Sequence, residues 1–159
     1  MLQVRETVHL VVHDPPYVVY IDKVENEATV RMASRIGSRS PLYCTAVGKA
    51  ILAWQPEEAV ERVAAAGLPA LTRHTITDPD RLRGELARIR QRGYAVDDRE
   101  NEPEVRCVAA PIFNHDDSAV SAVSVSGLTS RITAARVRDL GPMVARAALR
   151  ISRKLGAPR

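Results

Sequence analysis

Three side chains with hydrogen-bonding or nucleophilic chemistry lie close together in the segment 105–127, VRCVAAPIFNHDDSAVSAVSVSG: Cys107, Ser124 and Ser126. Two apolar, strand-like runs flank the polar stretch Asn114 to Asp117, which predicts a hairpin. Alternate residues of a strand share a face, so Ser124 and Ser126 point the same way, together with Val120 and Ala122. A turn over 114–117 pairs Phe113 with Ser118, Ala109 with Ala122, Cys107 with Ser124 and Val105 with Ser126. One thiol and two hydroxyls then share an otherwise apolar face, and a slip of one residue would separate them. Small donors on an apolar floor suit a small polar ligand, whereas proton-transfer chemistry needs stronger bases.

A second group of candidates lies at 40–54, SPLYCTAVGKAILAW. Thr45 is a good N-cap, and Ala46, Val47 and Gly48 would form the first helical turn, whose N–H groups lack partners within the helix and carry partial positive charge. Gly48 allows close approach of a ligand and Lys49 adds to the positive field. The plainer alternative is that Gly48 serves tight packing and Lys49 is solvated. At 93–100, GYAVDDRE reads as a strand ending in Asp97 and Asp98, which a solvated turn also explains. Cys107 has its own plain alternative as a small core residue, the two serines as partners of cross-strand groups, and Met32 as core.

Catalytic and metal readings rank behind ligand binding. A cysteine nucleophile needs a partner that promotes the thiolate, and His9, His13, His74 and His115 are spread through strands and loops with no signature near Cys107. Cys44 and Cys107 show no CxxC spacing, and His9 and His13, though four apart, fall on a strand-like segment rather than on one face of a helix. A small α+β enzyme using Cys107 and a metal- or redox-sensing module are the alternatives kept open. None of these patterns implies a cofactor.

The elements that must position these residues follow from periodicity. Val4 to Val12 alternates, Pro15 and Pro16 interrupt it, and Tyr17 to Val24 resumes, which predicts a hairpin. Ala28, Val30 and Met32 share one face of a third strand after a turn at 25–27. Helices are expected from Ala46 to Trp54, from Pro56 at a first helical position to Gly67, and from Asp78 and Pro79 to Gly93, the last with a Leu82, Leu86 and Ile89 stripe. Thr133 caps a final helix in which Val137, Leu140, Val144, Ala147, Ile151 and Leu155 keep a helical period. Strands, helices, strands and a terminal helix indicate an antiparallel sheet covered by helices.

At 159 residues the chain fits a single domain, 1–159, with 45% hydrophobic and 26% charged residues. No run reaches the length of a membrane span and no signal peptide stands at the start, so a cytoplasmic protein without membrane contact is expected. Two cysteines are too few for a disulfide framework. The net charge of +4 comes from scattered arginines with only three lysines, Lys23, Lys49 and Lys154, and no basic run, which argues against a nucleic-acid stripe.

Taken in order, the blocks SPLYCTAVGKAILA, GYAVDDRE, VRCVAAPIF and AVSVSG resemble the C-terminal effector-binding domain of the IclR family of bacterial transcriptional regulators. The likeness spans nearly the whole chain and rests on the order and spacing of the blocks. It implies a GAF-like α+β fold, an antiparallel sheet of about six strands flanked by helices, and a sensing rather than enzymatic role. It implies an effector pocket with Ala46, Val47 and Gly48 at a helix start, Met32 on a facing strand, Asp97 at a strand end, and Cys107, Ser124 and Ser126 on the floor. Loop amides and serine hydroxyls would donate to a carboxylate or carbonyl, Asp97 would accept from a hydroxyl, and Met32 would shape an apolar wall. The partners implied are a small organic acid effector and further copies in a homodimer or homotetramer. DNA would be reached only through an N-terminal winged helix-turn-helix domain, for which there is no room before Val4, so a fragment of a longer regulator is expected. Two positions depart from the family pattern at the edge of the pocket: Glu104 stands for a glycine and Leu128 for a proline.

Overall fold

The computed structural model describes residues 4–25 and 33–159. The alternating segment near the start forms β1 (Thr7–Asp14), and the chain returns antiparallel as β2 (Tyr17–Val24). A short strand that periodicity does not announce, β3 (Arg39–Pro41), pairs with β2. The predicted strand through Ala28, Val30 and Met32 lies outside the described residues. After three helices come β4 (Ala95–Asp98), β5 (Val105–Phe113) and β6 (Ala119–Leu128). All six strands form one antiparallel sheet in the order β3-β2-β1-β6-β5-β4. The α+β architecture is the expected one.

Hairpin β5–β6 differs from the expected register by two residues. Cys107 faces Ser126, Ala109 faces Ser124 and Val105 faces Leu128. One residue of the difference is the turn, which closes at Phe113 and Ala119 rather than Ser118; the other is a bulge between that pair and Ile112–Ser121. The bulge frees Val120, which is exposed instead of joining the floor. Because side chains alternate with period two, a shift of two preserves the face, so Cys107, Ser124 and Ser126 still lie together.

The helices start and stop on local signals. Thr45 caps α1 (Ala46–Leu52), its Oγ1 accepting from Gly48 N at 3.0 Å and donating to the Pro41 carbonyl at 2.7 Å. Pro56 is the cap of α2 (Glu57–Ala65) rather than its first residue. Asp78 caps α3 (Pro79–Arg92), which buries Leu82, Leu86 and Ile89 and ends at Gly93 with a left-handed φ of 82°. Thr133 caps α4 (Ala134–Lys154). Its buried stripe is Leu140, Val144, Ala148 and Ser152, whereas Ile151 and Leu155 are exposed and Ala147 is only half-buried. The apolar positions drift around this helix, and the sheet selects one i, i+4 row from them.

The sheet has two differently used faces. On one, α1 and α3 cover Val11, Val18, Ala109 and Ala122. On the other, α4 covers Val108, Ala110, Ile112 and Val125. Burial on both sides makes β5 an almost continuous buried run.

Candidate functional site

A cavity of about 40 Å³ opens where the start of α1 stands over the β1–β6–β5 surface. Strand alternation supplies the floor: His9 from β1, Ser124 and Ser126 from β6, and Cys107 from β5. Thr45, Ala46 and Val47 form one wall, and Asp97, Asn101 and Glu102 from the β4 end and following loop form another. Tyr20 and Ser34 close the side. The space suits a few water molecules or a ligand of a few heavy atoms.

Several polar groups around this space have no partner among the described residues. Ser124 is almost fully buried, yet its hydroxyl has no hydrogen-bond partner among the described residues. The N–H groups of Ala46 and Val47, at the first turn of α1, likewise have no acceptor among them. Asp97 is held by one oxygen, Oδ1, which accepts from Glu100 N at 2.7 Å and more loosely from Asn101 N at 3.4 Å. The other oxygen accepts from no described residue. The Ser124 hydroxyl and this second Asp97 oxygen are open to the cavity rather than sealed in the core, so a polar guest there can bond to them.

Charges in the site are set mainly by burial. Loss of water, then the nearby Glu100 carboxylate, push Asp97 up to about 7. His9 is lowered to about 4 by burial and then by Lys23, which leaves its ring neutral near pH 7. That ring bridges the floor, with Nε2 2.6 Å from Ser34 Oγ and Nδ1 3.3 Å from Ser126 Oγ, and it meets Tyr20 edge-on at a centroid distance of 5.1 Å. Cys107 keeps slight exposure to the cavity, but burial drives its thiol far above the usual range; Cys44 is pushed up to about 12 for the same reason. Both are neutral thiols and poor nucleophiles. Among the described residues no group of three or more histidine, cysteine, aspartate or glutamate side chains could hold a metal ion.

The structure thus brings together Ala46, Val47, Asp97, Cys107, Ser124 and Ser126. Met32 lies outside the described residues. Gly48 is not on the cavity: a Cβ there would stand 2.6 Å from the Leu42 Cα and carbonyl oxygen, so its role is close packing beneath the cap. Lys49 is neither solvated nor a contributor of free positive charge. It is fully buried, paired with Glu100 and bonded to the Val96 carbonyl at 2.7 Å. Asp98 points away from the cavity and binds Arg106 Nη2 at 2.8 Å.

His9, Tyr20, Asn101 and Glu102 belong to the site and were not singled out by the sequence. For His9 a signal existed: in VRETVHLVV, Thr7 and His9 occupy alternate positions to Val8, Leu10 and Val12, and therefore share a polar face. Its proximity to Ser124 comes from β1–β6 pairing across 115 positions, which short-range spacing does not reveal.

The family model for the bacterial transcriptional regulator IclR C-terminal domain matches residues 1–153. The chain belongs to the IclR family. Among curated relatives, this IclR domain is 38% identical over 154 residues to the HTH-type transcriptional regulator XynR of Escherichia coli (strain K12), covering 96% of this chain and 61% of XynR. Its fold matches the crystal structure of the Thermotoga maritima IclR with a TM-score of 0.92 and 44% identity, over 97% of this chain and 63% of that one. It also matches the inducer-binding domain of the PobR transcription factor from Acinetobacter, solved as a double mutant with 3-hydroxybenzoic acid, with a TM-score of 0.84 and 26% identity, over 94% and 89% of the two chains. The chain spans less than two thirds of XynR and of the Thermotoga protein. Relatives of this IclR domain are transcriptional regulators, not enzymes, so the reading of Cys107 as a nucleophile has no support from them. No helix among the described residues is long and apolar enough to cross a membrane.

Proposed function

We propose that this IclR C-terminal regulatory domain senses a small organic carboxylate in the cavity under α1 and passes the signal on through a homodimer or homotetramer of a cytoplasmic regulator. DNA would be contacted by another part of that regulator, an N-terminal winged helix-turn-helix domain. The observation that carries the reading is the set of unpaired polar groups around one cavity: two N–H groups, the Ser124 hydroxyl and one oxygen of Asp97. A carboxylate accepts from the first three, while Asp97, pushed up to about 7, donates to a ligand carbonyl when protonated and accepts from a ligand hydroxyl when ionised. PobR, with an aromatic hydroxy acid bound to its inducer-binding domain, supports this ligand class. The small volume favours short acids over aromatic ones. Exposed Met143, Ile151 and Leu155 on α4 supply apolar surface for self-association.

Calorimetric titration with pyruvate, other short 2-oxo acids and 3-hydroxybenzoate, with sedimentation of the same samples, tests the proposal. Binding of a short acid is expected to change the distribution of oligomers. Ser124→Ala and Ser126→Ala together are expected to weaken that binding about tenfold or more, and to change unfolding free energy by no more than about 1 kcal/mol per hydroxyl. Unchanged affinity in the double variant would remove the floor from the site.

A further inference from the structure

Behind the acidic wall of the cavity stands a buried charge cluster that the site itself does not use. Lys49, on α1 one turn beyond Ala46 and Val47, is fully buried. Its ammonium donates to the Val96 carbonyl on β4 at 2.7 Å and to Glu100 Oε1 in the loop after β4. The Glu100 main-chain N–H in turn donates to Asp97 Oδ1 at 2.7 Å, and its carbonyl accepts from Thr75 Oγ1 at 2.6 Å. A continuous chain therefore runs from α1 through Lys49 and Glu100 to the one oxygen by which Asp97 is held. It joins the two facing walls of the cavity.

The cluster is not charge-balanced. Glu100 Oε2 is buried without a hydrogen-bond partner among the described residues, so two carboxylates share one ammonium in a place with almost no water. A buried ion pair kept in a half-satisfied state adds little to stability compared with apolar residues of the same size. Its use must then be sought in what it positions.

We propose that Lys49 and Glu100, neither of which lines the cavity, are the positioning residues of its acidic wall: they fix the Asp97 carboxylate and set the charge it presents to a bound effector. This rests on the cavity being the effector site. The two residues act on Asp97 with opposite sign, since the Lys49 ammonium favours its ionised form and the Glu100 carboxylate opposes it. The other ionisable groups facing Asp97 leave that contrast intact: Cys44 before α1 and Cys107 on β5 are neutral thiols, Tyr20 on β2 is a neutral phenol and His9 on β1 a neutral ring, and Glu102 belongs to the same wall.

The test follows the Asp97 carboxyl carbon by nuclear magnetic resonance from about pH 4 to 9. In Lys49→Met the Asp97 midpoint is expected to rise, in Glu100→Gln to fall, each by about one pH unit, and in the double variant to return toward the wild-type value. A merely structural role would destabilise both single variants and move both midpoints the same way or not at all, and either result overturns the proposal. The double variant removes both buried charges together, which keeps a folded protein in hand if Lys49→Met alone does not fold. Pyruvate affinity measured over the same range supplies the second arm, its pH midpoint following the same order of variants. An affinity midpoint that stays put while Asp97 moves would overturn the claim that Lys49 and Glu100 act on the ligand. Failure of the wild type to bind pyruvate would count against the cavity reading for that acid, while the Asp97 titration stands separately.

Discussion

The two faces of the β5–β6 hairpin come from the same two strands and are built differently. Toward α4 the strands present Val108, Ala110, Ile112 and Val125, all almost fully buried, and the helix fills the space over them with Leu140, Val144 and Ala148. Where a hydroxyl is buried on that side it is fully used: Ser152 Oγ accepts from Phe113 N at 2.9 Å and donates to the Ala148 carbonyl at 2.8 Å. Toward α1 the same strands present Ala109 and Ala122, which pack into the core under the helix, and Cys107, Ser124 and Ser126, which line the cavity, where the Ser124 hydroxyl bonds to no described residue. The difference shows how one strand pair can anchor a fold on one side and line a cavity on the other. Bulk goes to one face, and small polar side chains go to the other where it meets the cavity.

The contrast breaks most visibly on the packed side. Ile112→Ala removes a side chain that is 1% exposed and leaves a cavity that α4 cannot collapse into without losing its other contacts. An unfolding free energy lower by about 2–5 kcal/mol is expected from urea titration. Affinity for a short acid should be nearly unchanged at temperatures where the variant is folded. A loss of under about 1 kcal/mol would mean that the α4 face is not the tight one.

A smaller effect separates packing from binding at α1 itself. In Gly48→Ala the new methyl would meet the Leu42 backbone and Thr45 Oγ1, all at 2.6 Å, so the 41–45 segment must shift and the cap loosens. A cost of about 1–3 kcal/mol is expected by the same measurement. Because Gly48 does not line the cavity, weaker ligand binding in this variant should track the displacement of Ala46 and Val47, visible as changed amide shifts at those two residues. Retained stability would show that the helix start has more room than its close approach to Leu42 indicates.

Local signals carried much of this arrangement. The caps at Thr45, Asp78 and Thr133, the stop at Gly93 and the Leu82, Leu86 and Ile89 stripe each depend on a few neighbouring residues and are readable in sequence. The shared face of Cys107, Ser124 and Ser126 survived because the register error was even; an error of one would have dispersed it. What escaped depends on distant partners. His9 joins the floor only once β1 pairs with β6, and Lys49 is buried only because Glu100, far along the chain, supplies its counter-charge. A lysine in an apolar helix gives no sign of which of these environments awaits it. The bulge that exposes Val120 is equally invisible, since a turn length and a bulge trade off against each other in the same count of residues.

The finest expression of the contrast lies in pH dependence, because two buried groups that line the cavity, His9 and Asp97, titrate in opposite senses. His9 has its folded value depressed to about 4 from 6.5, so its contribution to stability is present above about pH 6.5 and is lost as pH falls toward 4. Asp97 has its folded value raised to about 7 from 3.8, so its contribution is fully present below about pH 4 and is lost as pH rises through 7. Between about pH 4 and 6.5 the two slopes oppose each other and the wild type is expected to be nearly flat on their account. Asp97→Asn should uncover the His9 slope, with stability rising with pH across that window, and His9→Gln should uncover the reverse, with stability falling. Urea titrations at a series of pH values read both. Ile112→Ala, on the packed face, should lower the whole curve without tilting it, and a tilt in that variant but not in the other two would reverse the assignment of the faces.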